Sequence, residues 1–230
     1  MKALFIIFAV MSANFVNAQS TDTCTNCAVV GGDTTVVIES KVSDVSIFGI
    51  YKLDAETGSP LMWFTQSQGQ LFIEARANFD WQSTVTVAVG RNLSAGPYWA
   101  TPKVGALISM GGDGYSGISF EMNHGISLPW NISIFQMNQY AMGGKNSNPN
   151  FFYDYSDIGW SPTKNLSFLF GAQFFRALEL QEGQEVLEWW VDMGPQVKVT
   201  FGGGFYLKPW VTFDPNHDNR KVIVGLGRSF

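Results

Sequence analysis

The sequence is short of charge, of histidine and cysteine, of basic clusters and of long apolar runs, and each shortage closes off a class of protein. Its 14 Lys and Arg and 19 Asp and Glu make up 14% of 230 residues, against roughly 25% in an ordinary soluble domain. Nucleic acid is excluded as a partner, because the net charge is -5 and no group of Lys or Arg offers the basic footprint that a phosphate backbone requires. Beyond the first residues no uninterrupted apolar run approaches the roughly 18 residues of a membrane-spanning helix, so a helical membrane protein is excluded too. What the chain does have is 46% hydrophobic and 15% aromatic residues, with 24 Gly. That rules out disorder and requires a large apolar surface to be buried or immersed in lipid.

The N-terminus reads as an export signal. Lys2 supplies the positive charge, residues 3–11 (ALFIIFAVM) a short apolar stretch and Val16-Asn17-Ala18 a small-residue cleavage site, so residues 1–18 are expected to be removed and Gln19 to start the mature chain. Residues 19–43 form a polar leader, and the expected domain proper runs from 44 to 230. The only cysteines, Cys24 and Cys27, lie in that leader. A redox pair needs a helix in a βαβ context and zinc needs further soft ligands nearby, whereas the only histidines, His124 and His217, are far away. A local disulfide in an oxidising compartment fits better than either alternative. No metal and no cofactor is expected.

From there the chain alternates with period two. The longest example is residues 187–201, in which Leu187, Trp189, Val191, Met193, Val197, Val199 and Phe201 alternate with Glu188, Trp190, Asp192, Gly194, Gln196, Lys198 and Thr200. The same two-faced pattern recurs at Leu71, Ile73 and Ala75 against Glu74 and Arg76, at Val104, Ala106 and Ile108 against Lys103 and Gly105, and at Ile118, Phe120 and Met122 against Ser119 and Glu121. Late in the chain Leu207, Val211 and Phe213 oppose Lys208, Trp210 and Thr212, and Val222, Val224 and Leu226 oppose Gly225 and Gly227. Turn signals separate about twelve such strands, centred near residues 49, 63, 75, 88, 104, 121, 135, 155, 171, 193, 208 and 225. Short and long connections mostly alternate. The links at 80–81 and 111–114 look too short for the long-loop side, which leaves ten strands as the other count.

Alternation does not say which face is inside. The polar faces are rich in Gly, Ser and Thr, the charges are too few to solvate the outside of a soluble barrel, and aromatics gather near strand ends, so the greasy face is expected to point outward into lipid. With its signal, its amphipathic strands and a final strand, residues 221–230, that ends on Phe230, the sequence resembles the bacterial outer-membrane β-barrel superfamily. The 161–166 turn and the glycine-rich last strand are similar to small barrels of the Bacteroidota. The resemblance implies an all-β, antiparallel transmembrane barrel in the outer membrane, with outer-membrane lipid and the barrel-assembly machinery as partners and Phe230 as the insertion signal. Arg228 departs from the usual pattern and is expected to snorkel at the rim.

With the greasy face outward, the expected lumen-lining charges are Glu74, Arg76, Lys103, Glu121, Asp154, Glu188, Asp192, Lys198 and Lys208, accompanied by Trp99, Trp190 and Trp210. Such a set either lines a narrow water-filled path or pairs off into a salt-bridged plug. The inward glycines Gly90, Gly105, Gly225 and Gly227 are expected to widen the bore. Size and strand count are similar to those of narrow twelve-stranded solute channels such as the nucleoside-specific family, without a shared residue motif, so no site is carried over. A channel for small polar solutes is the leading expectation and a closed structural or anchoring barrel the alternative. A lipid-modifying enzyme is the third, because His124 is phased outward; it lacks the His-x-Ser-Asn arrangement of the lipid A deacylases.

Overall fold

The computed structural model describes residues 40–52, 58–78, 83–111, 115–143, 149–179, 185, 188–215 and 219–229, those before residue 61 by their backbone alone. The export signal, Cys24, Cys27, His217 and Phe230 lie outside the described residues. Contacts divide the chain into Met1–Ser40 and Lys41–Phe230, and the second unit carries the fold.

The strands are β1 (Ser40–Lys52), β2 (Gly58–Gln68), β3 (Leu71–Asn78), β4 (Thr84–Arg91), β5 (Leu93–Ala95), β6 (Tyr98–Ser109), β7 (Gly117–Leu128), β8 (Ile132–Gly143), β9 (Phe151–Thr163), β10 (Leu166–Ala177), β11 (Trp189–Thr200), β12 (Phe205–Asp214) and β13 (Asn219–Ser229). They form twelve staves, since β4 and β5 both pair with β6 and are one stave broken at Asn92. The break is held by side chains. Asn92 donates to Ser67 Oγ at 3.0 Å and accepts from Thr101 Oγ1 at 2.8 Å. All twelve expected strands are present close to their expected centres, and β1 starts at Ser40, a little before the expected boundary at 44.

Every stave pairs antiparallel with its sequence neighbour, and β1 pairs with β13, from Asp44 opposite Ser229 to Lys52 opposite Lys221. The order therefore runs from β4 through β1, β13 and β8 to β6, which pairs with β4 again. Such a ring satisfies strand edges that hydrocarbon could not. The connections 69–70, 96–97, 129–131, 164–165 and 201–204 fall on one rim, and the strand ends at Lys52, Asn78, Ser109, Gly143, Ala177 and Asp214 on the other. The two links that looked too short in the sequence are thus longer than expected, because the flanking strands end earlier, and ten strands is excluded.

The tight rim uses residues that tolerate positive φ. Gly204 has φ 77°, and a Cβ there would lie 2.0 Å from the Ser229 carbonyl oxygen, so the β11–β12 turn can approach β13 only with glycine. Trp130 and Asn131 take φ 61° and 60° in the β7–β8 turn, which leaves the Trp130 ring 83% exposed beside the apolar wall, where an interfacial aromatic is stable.

The faces are inverted relative to a soluble barrel. Val104, Ile118, Ile158 and Leu226 are each at least half exposed, whereas Glu74 and Asp192 are 0% exposed and Lys103 3%. The apolar side points out and the polar side in, the arrangement that only lipid stabilises. Among the described residues no helix is long and apolar enough to cross a membrane, and the exposed apolar band lies on strands. Arg228 lies outward over Phe205, 5.0 Å from the ring, and donates to the Gly203 carbonyl, so its stem covers apolar surface while its head reaches the rim.

Candidate functional site in the barrel interior

The interior is built from two ionic walls and an aromatic mouth. On one wall Glu74 and Arg76 (β3), Lys103 (β6) and Glu121 (β7) form a closed quartet. Arg76 Nε lies 2.8 Å from Glu74 Oε1, and Lys103 Nζ lies 2.7 Å from Glu74 Oε2 and 3.0 Å from Glu121 Oε2. Arg76 Nη2 closes the square on Glu121 Oε1. Lys103 stands opposite Glu121 across the β6–β7 ladder, and the small residues Ala88 and Gly105 between β3 and β7 leave room for the long side chains to meet. Ser119 Oγ and Gln139 Nε2 also donate to Glu121, at 2.9 and 3.1 Å. Two cations and two anions cancel here, and side chains of Lys103, Glu74 and Glu121 have no exposed surface.

The facing wall belongs to β9, β11, β12 and β13. Tyr155 donates its hydroxyl to Asp157 Oδ2 at 2.8 Å and accepts from Gln196 Nε2 at 3.0 Å and Lys208 Nζ at 3.1 Å. Asp192 accepts from Gln173 Nε2 at 2.9 Å and Lys221 Nζ at 2.7 Å. Three lysines occupy successive strands, each over an aromatic face: Lys198 is 4.3 Å from the Tyr206 ring, Lys208 5.5 Å from Tyr155 and Lys221 5.0 Å from Trp190. Unlike Glu74, Lys103 and Glu121 they keep part of their surface exposed, 19% for the Lys208 side chain and 12% for Lys221. Trp99, Phe135, Tyr155 and Trp210 continue ring to ring at 5.8, 5.9 and 5.6 Å, linking β6 to β12 across the bore.

Towards the long-loop rim the lumen is apolar. Leu107, Tyr115, Ala141, Phe151, Phe175 and Ala177 are buried together, with Tyr153 and Trp190 against them; Trp190 stacks on Phe175 at 5.6 Å and Phe151 meets Phe175 at 5.3 Å. Tyr115 comes from the 110–116 connection, not from a strand. Its hydroxyl donates to the Pro149 carbonyl and its own carbonyl accepts from Thr84 Oγ1, both at 3.1 Å. Burial first, then the neighbouring Glu179 and Tyr140, pushes the Tyr115 phenol well above its ordinary range, so it stays neutral.

Of the residues singled out in the sequence, Glu74, Arg76, Lys103, Glu121, Asp192, Lys198, Lys208, Trp99, Trp190 and Trp210 sit on the inward face. Two do not join them. Glu188 precedes β11 and is exposed at the rim, because the strand begins one residue later. Asp154 faces outward: the unbroken β8–β9 register puts it in phase with the exposed Ile158 and Trp160, and it is Asp157 that faces in. Nor do Gly90, Gly105 and Gly227 widen the bore. The Tyr206 ring lies 2.4 Å from a Cβ built on Gly227, Lys103 2.6 Å from one on Gly90 and Ser119 Oγ 2.6 Å from one on Gly105, so neighbouring side chains fill the space. Tyr155, Asp157 and Lys221 were missed, and Gln196 was read on the inward phase of residues 187–201 without being counted as a lining residue; Lys221 had the same kind of signal, since the phase of the last strand extends to it. Among the described residues no three His, Cys, Asp or Glu gather where a metal ion would sit.

No protein-family model matches the sequence, and neither does any curated protein. Solved structures do. The NanC porin matches with a TM-score of 0.63 at 8% identity, over 81% of this chain and 100% of that one. An outer-membrane channel from Pseudomonas putida F1 matches at 0.62 and 9%, over 88% and 100%, and the KdgM porin at 0.59 and 7%, over 81% and 99%. At these identities the likeness is one of fold: this chain has the architecture of bacterial outer-membrane β-barrel channels. These three are described as porins or an outer-membrane channel.

Proposed function

We propose that the protein is a narrow outer-membrane channel for small polar solutes, with a preference for anionic ones. The reading proceeds from the porin fold and is carried by one observation, the row of Lys198, Lys208 and Lys221 on β11, β12 and β13, each mostly buried but keeping some exposed surface and backed by an aromatic face. Aromatic faces beside cationic donors suit ring-bearing solutes with a carboxylate, since the ring stacks while the charge is paired. The quartet on β3, β6 and β7 is neutral and stiffens the opposite wall, while on the facing wall Asp157 and Asp192 pair with Lys208 and Lys221, so the field of the lysine row is carried chiefly by Lys198. A KdgM porin of similar fold was solved with disordered oligogalacturonate, a solute of that chemical kind. In this reading residues 1–18 direct export, Phe230 guides insertion by the assembly machinery, and the short-turn rim faces the periplasm.

A second reading, a closed structural barrel, is favoured by the cluster of Tyr115, Phe151, Phe175 and Trp190 across the mouth. Planar-bilayer recordings of the refolded chain decide between them. The channel reading expects small, anion-favouring conductance that shifts towards cations in Lys198→Glu and Lys208→Glu, the shift fading as salt screens the field. Absence of current, with no swelling of loaded liposomes in sugar acids or neutral sugars, would leave the closed barrel.

A further inference from the structure

The outward wall carries a polar island. On β8 and β9, Gln136, Asn138, Asp154 and Ser156 share the phase of exposed Ile134, Met142, Ile158 and Trp160. Gln136 Nε2 donates to Asp154 Oδ2 at 2.8 Å, Asn138 Nδ2 donates to the same oxygen, and Ser156 Oγ donates to Oδ1 at 2.9 Å. His124 on β7 stands opposite Gln136, with its ring 6.2 Å from that of Tyr98. Above the island lie Phe120, Met122, Tyr140 and Met142, and below it Ile134, Ile158 and Trp160, all exposed, so it sits inside the apolar band and not at its edge.

A carboxylate there is costly, and its three donors do not use up the island's polarity. Each amide spends one N–H on Asp154 and keeps its second N–H and its carbonyl oxygen, and the His124 imidazole faces the same way. Hydrocarbon offers these groups nothing. A lipid headgroup sits at the level of the rims and is separated from the island by the apolar residues on either side. What remains is another protein surface at the same depth.

We propose that this surface is a second copy of the chain, paired through β7, β8 and β9 about a two-fold axis along the membrane normal. Amides carry donor and acceptor alike, so Gln136 and Asn138 are complementary to their own copies across an axis through β8. The same axis sets β7 of one copy against β9 of the other, which brings each His124 towards the other copy's carboxylate. Ala172, opposite Ser156 on β10, is small enough to permit close approach. The inference needs the barrel to be in a membrane and is independent of whether it conducts.

The test uses the refolded full chain in lipid bilayers, carrying Cys24→Ser and Cys27→Ser and one new cysteine at a time. Oxidation should join copies through Gln136→Cys and Ile134→Cys and should leave Val87→Cys and Val211→Cys, on other staves, unjoined. In detergent the triple change Gln136→Leu, Asn138→Leu and Asp154→Leu should weaken the dimer on the order of tenfold or more, while its urea midpoint as a folded barrel is no lower than that of the unaltered chain. A monomer at every lipid-to-protein ratio, cross-links equally frequent at Val87→Cys, or a triple variant that dimerises as before would overturn it. So would an unaltered chain that stays monomeric with a different protein or a lipid held at the island.

Discussion

Replacing Lys103 by Met takes out the cation that joins Glu74 to Glu121. Both lysine contacts, at 2.7 and 3.0 Å, are made in a site where none of the three side chains has exposed surface. At an effective dielectric of about 20 each contact corresponds to roughly 5–6 kcal/mol of Coulomb attraction, most of it offset in the native chain by the cost of desolvating the ammonium. Removing one partner leaves two carboxylates to share Arg76, and breaking a buried pair in this way costs about 3–5 kcal/mol. Adding Glu74→Gln restores neutrality, because Arg76 still pairs with Glu121, and should recover at least half of the loss. Urea titration of the barrel in lipid vesicles, followed by tryptophan fluorescence, measures both variants. A cost below about 1 kcal/mol for Lys103→Met, or a double variant worse than the single, would refute a dry and charge-balanced quartet.

Val211→Arg places a charge on the exposed lipid face and should cost roughly 2–4 kcal/mol in the same titration if the site lies near the bilayer midplane; a change below 1 kcal/mol would put that face in water. A Cβ on Gly171 would lie 1.8 Å from Gln196 Nε2, so Gly171→Val should displace the Gln196–Tyr155 hydrogen bond and cost about 1–3 kcal/mol, visible as a lowered urea midpoint. The raised Tyr115 phenol stabilises the mouth fully below the ordinary phenol value of about 10, and that stability is lost as pH rises beyond it, because the opened form ionises first. Conductance should therefore increase above about pH 10 in the native chain and not in Tyr115→Phe, and an equal rise in both would mean that Tyr115 does not hold the mouth shut.

Alternation made the staves legible wherever one phase is apolar and the other polar. That holds for β3, β6, β7, β11 and β13, and there the inward charges follow from parity alone. It fails on β9, where residues 151–157 read Phe-Phe-Tyr-Asp-Tyr-Ser-Asp and both phases carry aromatics and carboxylates. Only pairing to β8 fixes which acid faces in, and pairing is a property of two strands that one strand's sequence does not encode. The quartet was legible as four inward residues but not as a sealed square, since its closure depends on Ala88 and Gly105 lying between Glu74 and Glu121. Tyr115 was invisible for another reason: it belongs to a connection, where no period exists to say that its ring turns into the lumen.

Pairing β1 with β13 has a consequence in time. Asp44 meets Ser229, so neither half of the seam can pair until every strand between them has been synthesised. Joining such distant ends costs a few kcal/mol more entropy than closing a two-residue hairpin, because the penalty grows by about 0.6 kcal/mol with each doubling of the intervening length. The hairpins can form locally and early, whereas the seam is last and slow. Until it forms, two edge strands and the whole greasy wall stand open, so the polypeptide has to be chaperoned from synthesis to final closure and is most vulnerable to proteolysis and aggregation in that interval.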